Sequence, residues 1–146
     1  MAGTVEKKLA ELGIALPTPA SPVANYIPFV RVGALLFVSG QICLDASGQL
    51  VAKGKLGGGV SVEDGQKAAR ACAINILAQV KAALGDLDGV KQVVRLGGFI
   101  NSAPGSVDGP KVMNGASDLM VTAFGDKGRH ARTTVGVAAL PLDAAV

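Results

Sequence analysis

The residues best suited to chemistry lie near the end of the chain, in Gly128-Arg129-His130-Ala131-Arg132-Thr133-Thr134-Val135-Gly136-Val137-Ala138-Ala139-Leu140-Pro141. Arg132 opens an otherwise uncharged, β-prone stretch, where a planar guanidinium can hold a carboxylate through two parallel hydrogen bonds. A surface or salt-bridging arginine fits the same spacing, and spacing alone does not choose between them. His130 is the single histidine. It can act as an acid or base beside an anion site, or simply close a turn with its ring hydrogen-bonded.

Other candidates carry less. Gly57-Gly58-Gly59 is followed by no Lys-Ser or Lys-Thr and opens no Gly-x-Gly-x-x-Gly, so it reads as a flexible connector rather than a phosphate loop. Ser39 sits in Val-Ser-Gly-Gln, not Gly-x-Ser-x-Gly, which gives a hydrolase triad little support. No paired acids stand at glycosidase or protease spacing. Cys43 and Cys72 are 29 positions apart, outside any Cys-x-x-Cys pair. With one histidine in the chain, neither a zinc site nor a redox dithiol is expected within one subunit, and both thiols are expected to be buried. The reading therefore calls for no metal and no cofactor.

Composition narrows the class. A chain of 146 residues suits one domain, 1–146, with a core that needs no disulfide or metal. Hydrophobic residues make up 49% and charged ones 17%, with a mean hydropathy of +0.43. That is more apolar surface than a small monomer hides, which points to a subunit interface. Apolar runs reach about nine residues, short of the roughly 20 that cross a bilayer, and no basic-then-apolar leader opens the chain. The expectation is a soluble cytoplasmic protein without membrane contact. The net charge of +3 admits RNA, but the 14 Lys and Arg are scattered, and one Tyr, four Phe and no Trp give bases no row to stack on. A nucleic-acid partner is not expected.

The elements that must position Arg132 follow from pattern. Val5, Leu9 and Leu12 at helical spacing predict a short helix over 4–12, ended by Gly13. Three prolines between Leu16 and Pro22 make an extended connector, so residues 1–22 form a helix and a Pro-rich lead-in. Ile27–Arg31 and Ala34–Ser39 flank a tight turn at Val32-Gly33 and read as a hairpin. Asp45-Ala46-Ser47-Gly48 predicts a second turn and 49–52 a short third strand. Ser61 predicts an N-cap for a long amphipathic helix bearing Ala69, Cys72, Ala73, Ile76, Leu77 and Val80 and closed by Gly85. Residues 90–101 return to strand, with Gly97-Gly98 marking a bulge or a close backbone approach. A second helix runs from about Pro110 to Phe124, capped by Asp108, and 133–140 form the last strand. The order β-β-β-α-β-α-β predicts an α+β fold with two helices on one face of a mixed four- or five-stranded sheet. The other sheet face is left for neighbouring subunits.

The Ala-Arg-x-x-Val-x-Val-x-x-Leu-Pro string, the Asn25-Tyr26 entry to the hairpin, the Val-Ser-Gly-Gln at its end and the Ala68–Leu77 helix with Asn-Gly-Ala-Ser-Asp-Leu on the next together resemble the RidA/YjgF, or reactive-intermediate deaminase, family. The resemblance runs from about Pro22 to Val146 and is nearest a divergent subgroup. It implies a chorismate-mutase-like α+β fold, assembled as a homotrimer with a ligand cleft at each subunit contact. It implies hydrolysis of 2-imino or 2-enamino acids to 2-keto acids and ammonia without cofactor or metal. By motif, Arg132 would bind the substrate carboxylate, Tyr26 and Ser39 would line the cleft, Asn114 would contribute from the second helix, and the backbone at Thr134 would face the substrate nitrogen, with His130 beside the pocket. Ala24-Asn25 replaces the Gly-Pro that precedes this tyrosine in the family's deaminases. Their water-positioning glutamate would fall, by register, just after Val146. A non-catalytic trimer that senses a keto acid is the alternative, and the endoribonuclease activity often attached to the family has less support.

Overall fold

The computed structural model describes residues 2–146. Helix α1 spans Thr4–Glu11, and the hairpin strands β1 (Phe29–Val32) and β2 (Leu35–Val38) pair antiparallel around Gly33, whose φ of 59° is a value that glycine adopts freely. Two very short parallel strands follow, β3 (Lys55–Leu56) and β4 (Gly59–Val60), then α2 (Val62–Leu84), β5 (Arg95–Asn101), α3 (Gly109–Phe124) and β6 (Ala131–Val137). Strands β5 and β6 pair in parallel without a break from Arg95↔Ala131 to Asn101↔Val137, with α3 as the crossover that a parallel pair demands.

The chain thus has the expected α+β class, with strand pairing split into three two-stranded pieces rather than one continuous sheet of four or five. The expected strand at 49–52 reduces to a single Leu44↔Leu50 bridge. The reason is local: the Asp45 carboxylate takes the backbone N–H of Ser47 and Gln49 at 2.8 and 3.0 Å, binding the segment as a turn. The strand expected from residue 90 begins at Arg95; ahead of it the Val93 N–H goes to the Lys127 carbonyl of the 3₁₀ turn that precedes β6, at 2.7 Å.

Helix α2 obeys its sequence signals, with Ser61 Oγ accepting from the Asp64 N–H at 3.1 Å and Gly85 closing it at φ 80°. Helix α3 starts differently. The Asp108 side chain makes no cap bond and pairs instead with Lys111 Nζ at 2.8 Å. Close packing of α2 on α3 needs small residues: a Cβ on Gly115 would strike the Gln66 carbonyl, and one on Gly65 would come within 2.8 Å of Val112. The Gly97-Gly98 pair is a close approach and not a bulge, since a Cβ on Gly98 would overlap Met113. The helices cover the face of β5 that carries Leu96 and Ile100, while Phe99 and Val135 are 57% and 42% exposed on the other face. Among the described residues, no helix is long and apolar enough to cross a membrane.

The two cysteines, 29 positions apart in sequence, come into hydrogen-bond contact in the fold as free thiols. The fold brings both thiols together under the C-terminus, where Cys72 Sγ lies 3.5 Å from the Val146 carbonyl. Both are buried, as expected. The bond from the Cys72 thiol draws Cys43 down to about 5, and the same contact with burial pushes Cys72 up. Buried Asn101 is satisfied, accepting from Lys55 Nζ at 2.8 Å and donating to Asp143 at 3.0 Å.

Helix α1 has no cap of its own. Its N-terminus is capped from a distance by Asp88, whose carboxylate accepts from Thr4 and Val5 N–H at 2.7 and 2.9 Å, while Glu6 returns a bond to the Leu87 N–H at 3.0 Å. Glu6, Asp86 and Asp88 bring their carboxylates within 4.8 Å of one another, but as caps each already accepts backbone N–H groups. The Thr4 and Val5 amides hold the Asp88 carboxyl below its usual range. A depressed acid stabilises docking above its unfolded pKa and loses that contribution as pH falls through the lower folded value. Asp88→Ala is therefore expected to accelerate amide exchange over Thr4–Glu11 at pH 7 while α2 stays protected. In the wild type the same release should come only below the ordinary carboxylate range. Equal exchange in both proteins at pH 7 would contradict this cap.

Candidate functional site

Because β5 and β6 pair in register, alternate residues of β6 face α3. Arg132 lies opposite Leu96 and Thr134 opposite Gly98, both on the helix side. On α3, the buried stripe of Val112, Met113, Ala116, Leu119, Met120 and Ala123 fixes the helix rotation. That rotation turns Asn114 and Ser117, one turn apart, toward β6. Arg132 Nη1 donates to Asn114 Oδ1 at 2.9 Å and to Ser117 Oγ at 3.2 Å. Both partners are neutral, and among the described residues no carboxylate lies within 4.0 Å of the guanidinium. Nη2 and Nε have no protein partner there either. The salt-bridging reading of Arg132 is thereby set aside: one edge is anchored and the other is free for an anion.

His130 joins the cluster. Its Nδ1 lies 2.6 Å from the Gly128 carbonyl and its Nε2 2.9 Å from Ser117 Oγ. A carbonyl only accepts and a guanidinium only donates. In the neutral ring the proton must therefore sit on Nδ1, Nε2 must accept, Ser117 must donate to it, and Arg132 must donate to Ser117. The loop that fixes the ring is itself held, with Val93 N–H on the Lys127 carbonyl at 2.7 Å and Gln92 Nε2 on the Arg129 carbonyl at 2.6 Å. A Cβ on Gly128 would collide with the Met120 backbone, so that close approach requires glycine.

Ser117, Asp118, Val121, Arg129, His130 and Arg132 line an open depression of about 300 Å³. A larger depression of about 450 Å³ follows the α1 seam, but its acid, Asp88, is committed to the α1 amides.

The family model described as "YjgF/chorismate mutase-like, putative endoribonuclease" matches residues 6–146. The chain belongs to the YjgF/chorismate mutase-like family. It is 50% identical over 145 residues to Protein TCP17 of Trypanosoma cruzi, covering 99% of this chain and 90% of that protein. The solved structure of Atu1372 from Agrobacterium tumefaciens, described as of unknown function, shares 48% identity with a TM-score of 0.88, over 97% of this chain and 85% of that one. An endoribonuclease-like protein of Shewanella oneidensis MR-1 shares 37% with a TM-score of 0.93, over 98% and 94%.

Of the residues the YjgF-type motifs single out, one protomer brings together Arg132, Asn114 and His130. Thr134 lies on the same face of β6, with its Oγ1 buried and lacking a hydrogen-bond partner among the described residues. Tyr26 and Ser39 are elsewhere, on the hairpin. Tyr26 is about half exposed, and Ser39 Oγ donates to the Ile27 carbonyl at 2.6 Å, so neither lines the Arg132 depression of its own protomer. Ser117 escaped the sequence reading. Its only signal was its i+3 spacing from Asn114 in Asn114-Gly115-Ala116-Ser117.

The donor logic predicts the Nδ1–H tautomer for neutral His130, read by long-range proton–nitrogen correlation spectra as a protonated Nδ1 and a bare Nε2. The opposite tautomer would break the chain of bonds.

Proposed function

We propose that this chain hydrolyses reactive 2-imino or 2-enamino acids to 2-keto acids and ammonia, with Arg132 gripping the substrate carboxylate. The observation that carries this reading is the half-used guanidinium: Nη1 is tied to Asn114 and Ser117, while Nη2 and Nε are available in an open depression. A carboxylate on that free edge gains charge-assisted hydrogen bonds worth about 1.5–3 kcal/mol each, less where solvent reaches them. An imine carbon is already electrophilic, so orientation of the substrate and one water supplies most of what the reaction needs. Membership of the YjgF family supports the same chemistry. So does the Ala131-Arg132 string at the strand start.

The active assembly in this reading is a homotrimer. Val30, Val32, Leu35 and Phe37 form two cross-strand pairs on one hairpin face, and Phe37 is 58% exposed. Phe99 and Val135 are likewise exposed on the outer face of β5 and β6, and these apolar faces are what a neighbouring subunit would cover. Tyr26 and Ser39 would then reach the Arg132 cleft of the next protomer, and the Thr134 backbone would face the substrate nitrogen.

Threonine dehydratase run in the assay generates 2-iminobutanoate, and keto-acid release is followed with and without this protein, whose sedimentation mass should be three times the chain mass. Wild type is expected to accelerate release, and Arg132→Ala to lose at least about 10-fold in kcat/KM. No acceleration over buffer by wild type would overturn the deaminase reading. Keto-acid binding without turnover would point to the metabolite sensor instead.

A further inference from the structure

We propose that Cys43 and Cys72 form a reversible redox pair, in which hydrogen peroxide converts the two thiols into a disulfide within one chain and a dithiol reductant restores them. The sequence spacing leads to no expectation of such a pair; the fold assembles it. The inference is independent of the deaminase reading, since neither cysteine lines the Arg132 depression.

Backbone clamps hold the sulfurs together. Cys72 and Asn75 stand three residues apart on α2 and so share a side of the helix. Asn75 Nδ2 donates to the carbonyls of Ile42 and Leu44, at 3.2 and 3.0 Å, which fastens both neighbours of Cys43 to that side. On its other flank Cys43 accepts from the Val51 N–H at 2.8 Å, and its Sγ lies 3.4 Å from the Ala52 carbonyl. Ala52 also accepts from the Ala145 N–H at 3.1 Å, and the next residue, Val146, places its carbonyl 3.5 Å from Cys72 Sγ. One strip of backbone thus brackets both thiols, which are in hydrogen-bond contact and free.

That contact divides the roles. The Cys72 thiol donates, so Cys43 is drawn down to about 5 and is a thiolate at pH 7, while Cys72 keeps its proton. A thiolate beside a thiol is a nucleophile beside its resolving group. The Cys43 thiolate attacks one peroxide oxygen and the O–O bond breaks. The departing hydroxide takes up the proton that Cys43 gave to solvent on ionising, and leaves as water. Cys72 sulfur then attacks the sulfur of the Cys43 sulfenic acid; the S–S bond forms, the S–O bond breaks, and the hydroxide leaves with the Cys72 proton as a second water. Two thiols and one peroxide give one disulfide and two waters. The dithiol reverses this by exchange and is itself oxidised to a disulfide.

Access is controlled by residues 144–146. Cys43 is fully buried and Cys72 is 7% exposed, so reagents reach the sulfurs only when that strip lifts. Just before it, Leu142 and Asp143 both take left-handed conformations, φ 58° and 59°, which residues with a side chain adopt at a cost. The strip is therefore tied down next to a strained turn, and its opening sets the oxidation rate.

The test exposes the reduced chain to excess hydrogen peroxide overnight at pH 7, then measures its mass and titrates its thiols in denaturant. The expected product has lost two hydrogens, gained no oxygen and retains no titratable thiol. Peptide mapping should join the Cys43 fragment to the Cys72 fragment, and dithiothreitol should reverse every change. Closing a loop across residues 43–72 should raise the melting temperature on the order of 5–10 °C. Cys72→Ser should strand Cys43 as a sulfenic acid that dimedone labels, and Cys43→Ser should leave Cys72 unoxidised, its proton held by burial. The wild-type mass decides the matter whether or not a variant folds. Two intact thiols after this exposure would overturn the pair. So would disulfides between chains, oxygen gained in place of hydrogen lost, or an oxidised protein that melts no higher than the reduced one.

Discussion

An arginine whose charge is met only by an amide oxygen and a hydroxyl is an unfinished interaction. Arg132 is held along one edge by Asn114 and Ser117, and neither partner neutralises it. A guanidinium placed this way is pre-oriented, so little rotamer freedom remains to be lost when an anion docks. The same arrangement would be worth little on an isolated strand. It depends on α3 lying at one height and one rotation over β6, so that two side chains one helical turn apart meet the same nitrogen.

That height is set mainly by what is missing from the packing. Gly98 lets Met113 of α3 settle onto the strand, Gly115 lets α3 press on the α2 backbone at Gln66, and Gly128 lets the loop into β6 pass beneath Met120. Each is a contact that a single methyl group would prevent, and interiors at native density have no slack to absorb one. The three glycines sit on different elements, yet each governs the distance between α3 and a neighbour. The geometry around Arg132 and the helix packing are therefore coupled in this fold, and the buried stripe of α3 positions Asn114 and Ser117 as much as it fills the core.

How much of this was legible depended on how local the cause was. Helix α2 was legible because Ser61, the apolar stripe and Gly85 lie within the helix or at its ends. The capping of α1 by Asp88 was not, because donor and acceptor are more than 80 residues apart. The pairing of Cys43 with Cys72 was hidden for the same reason. Arg132, Asn114 and His130 could be singled out from short motifs, whereas Ser117 looks like any helix serine until the rotation of α3 is known. The strand at 49–52 had the right residue types but lost to the Asp45 turn, a side chain competing with a ladder for the same N–H groups. Tyr26 and Ser39 lie on the hairpin, away from the Arg132 depression of their own chain, which no short motif could reveal.

The most direct test of the central claim is a crystal structure with 2-oxobutanoate, the stable keto-acid product. The account predicts its carboxylate in two parallel hydrogen bonds on the free edge of Arg132, with the Asn114 and Ser117 contacts to Nη1 retained. A ligand bound elsewhere, with that edge of the guanidinium still in solvent, would contradict it.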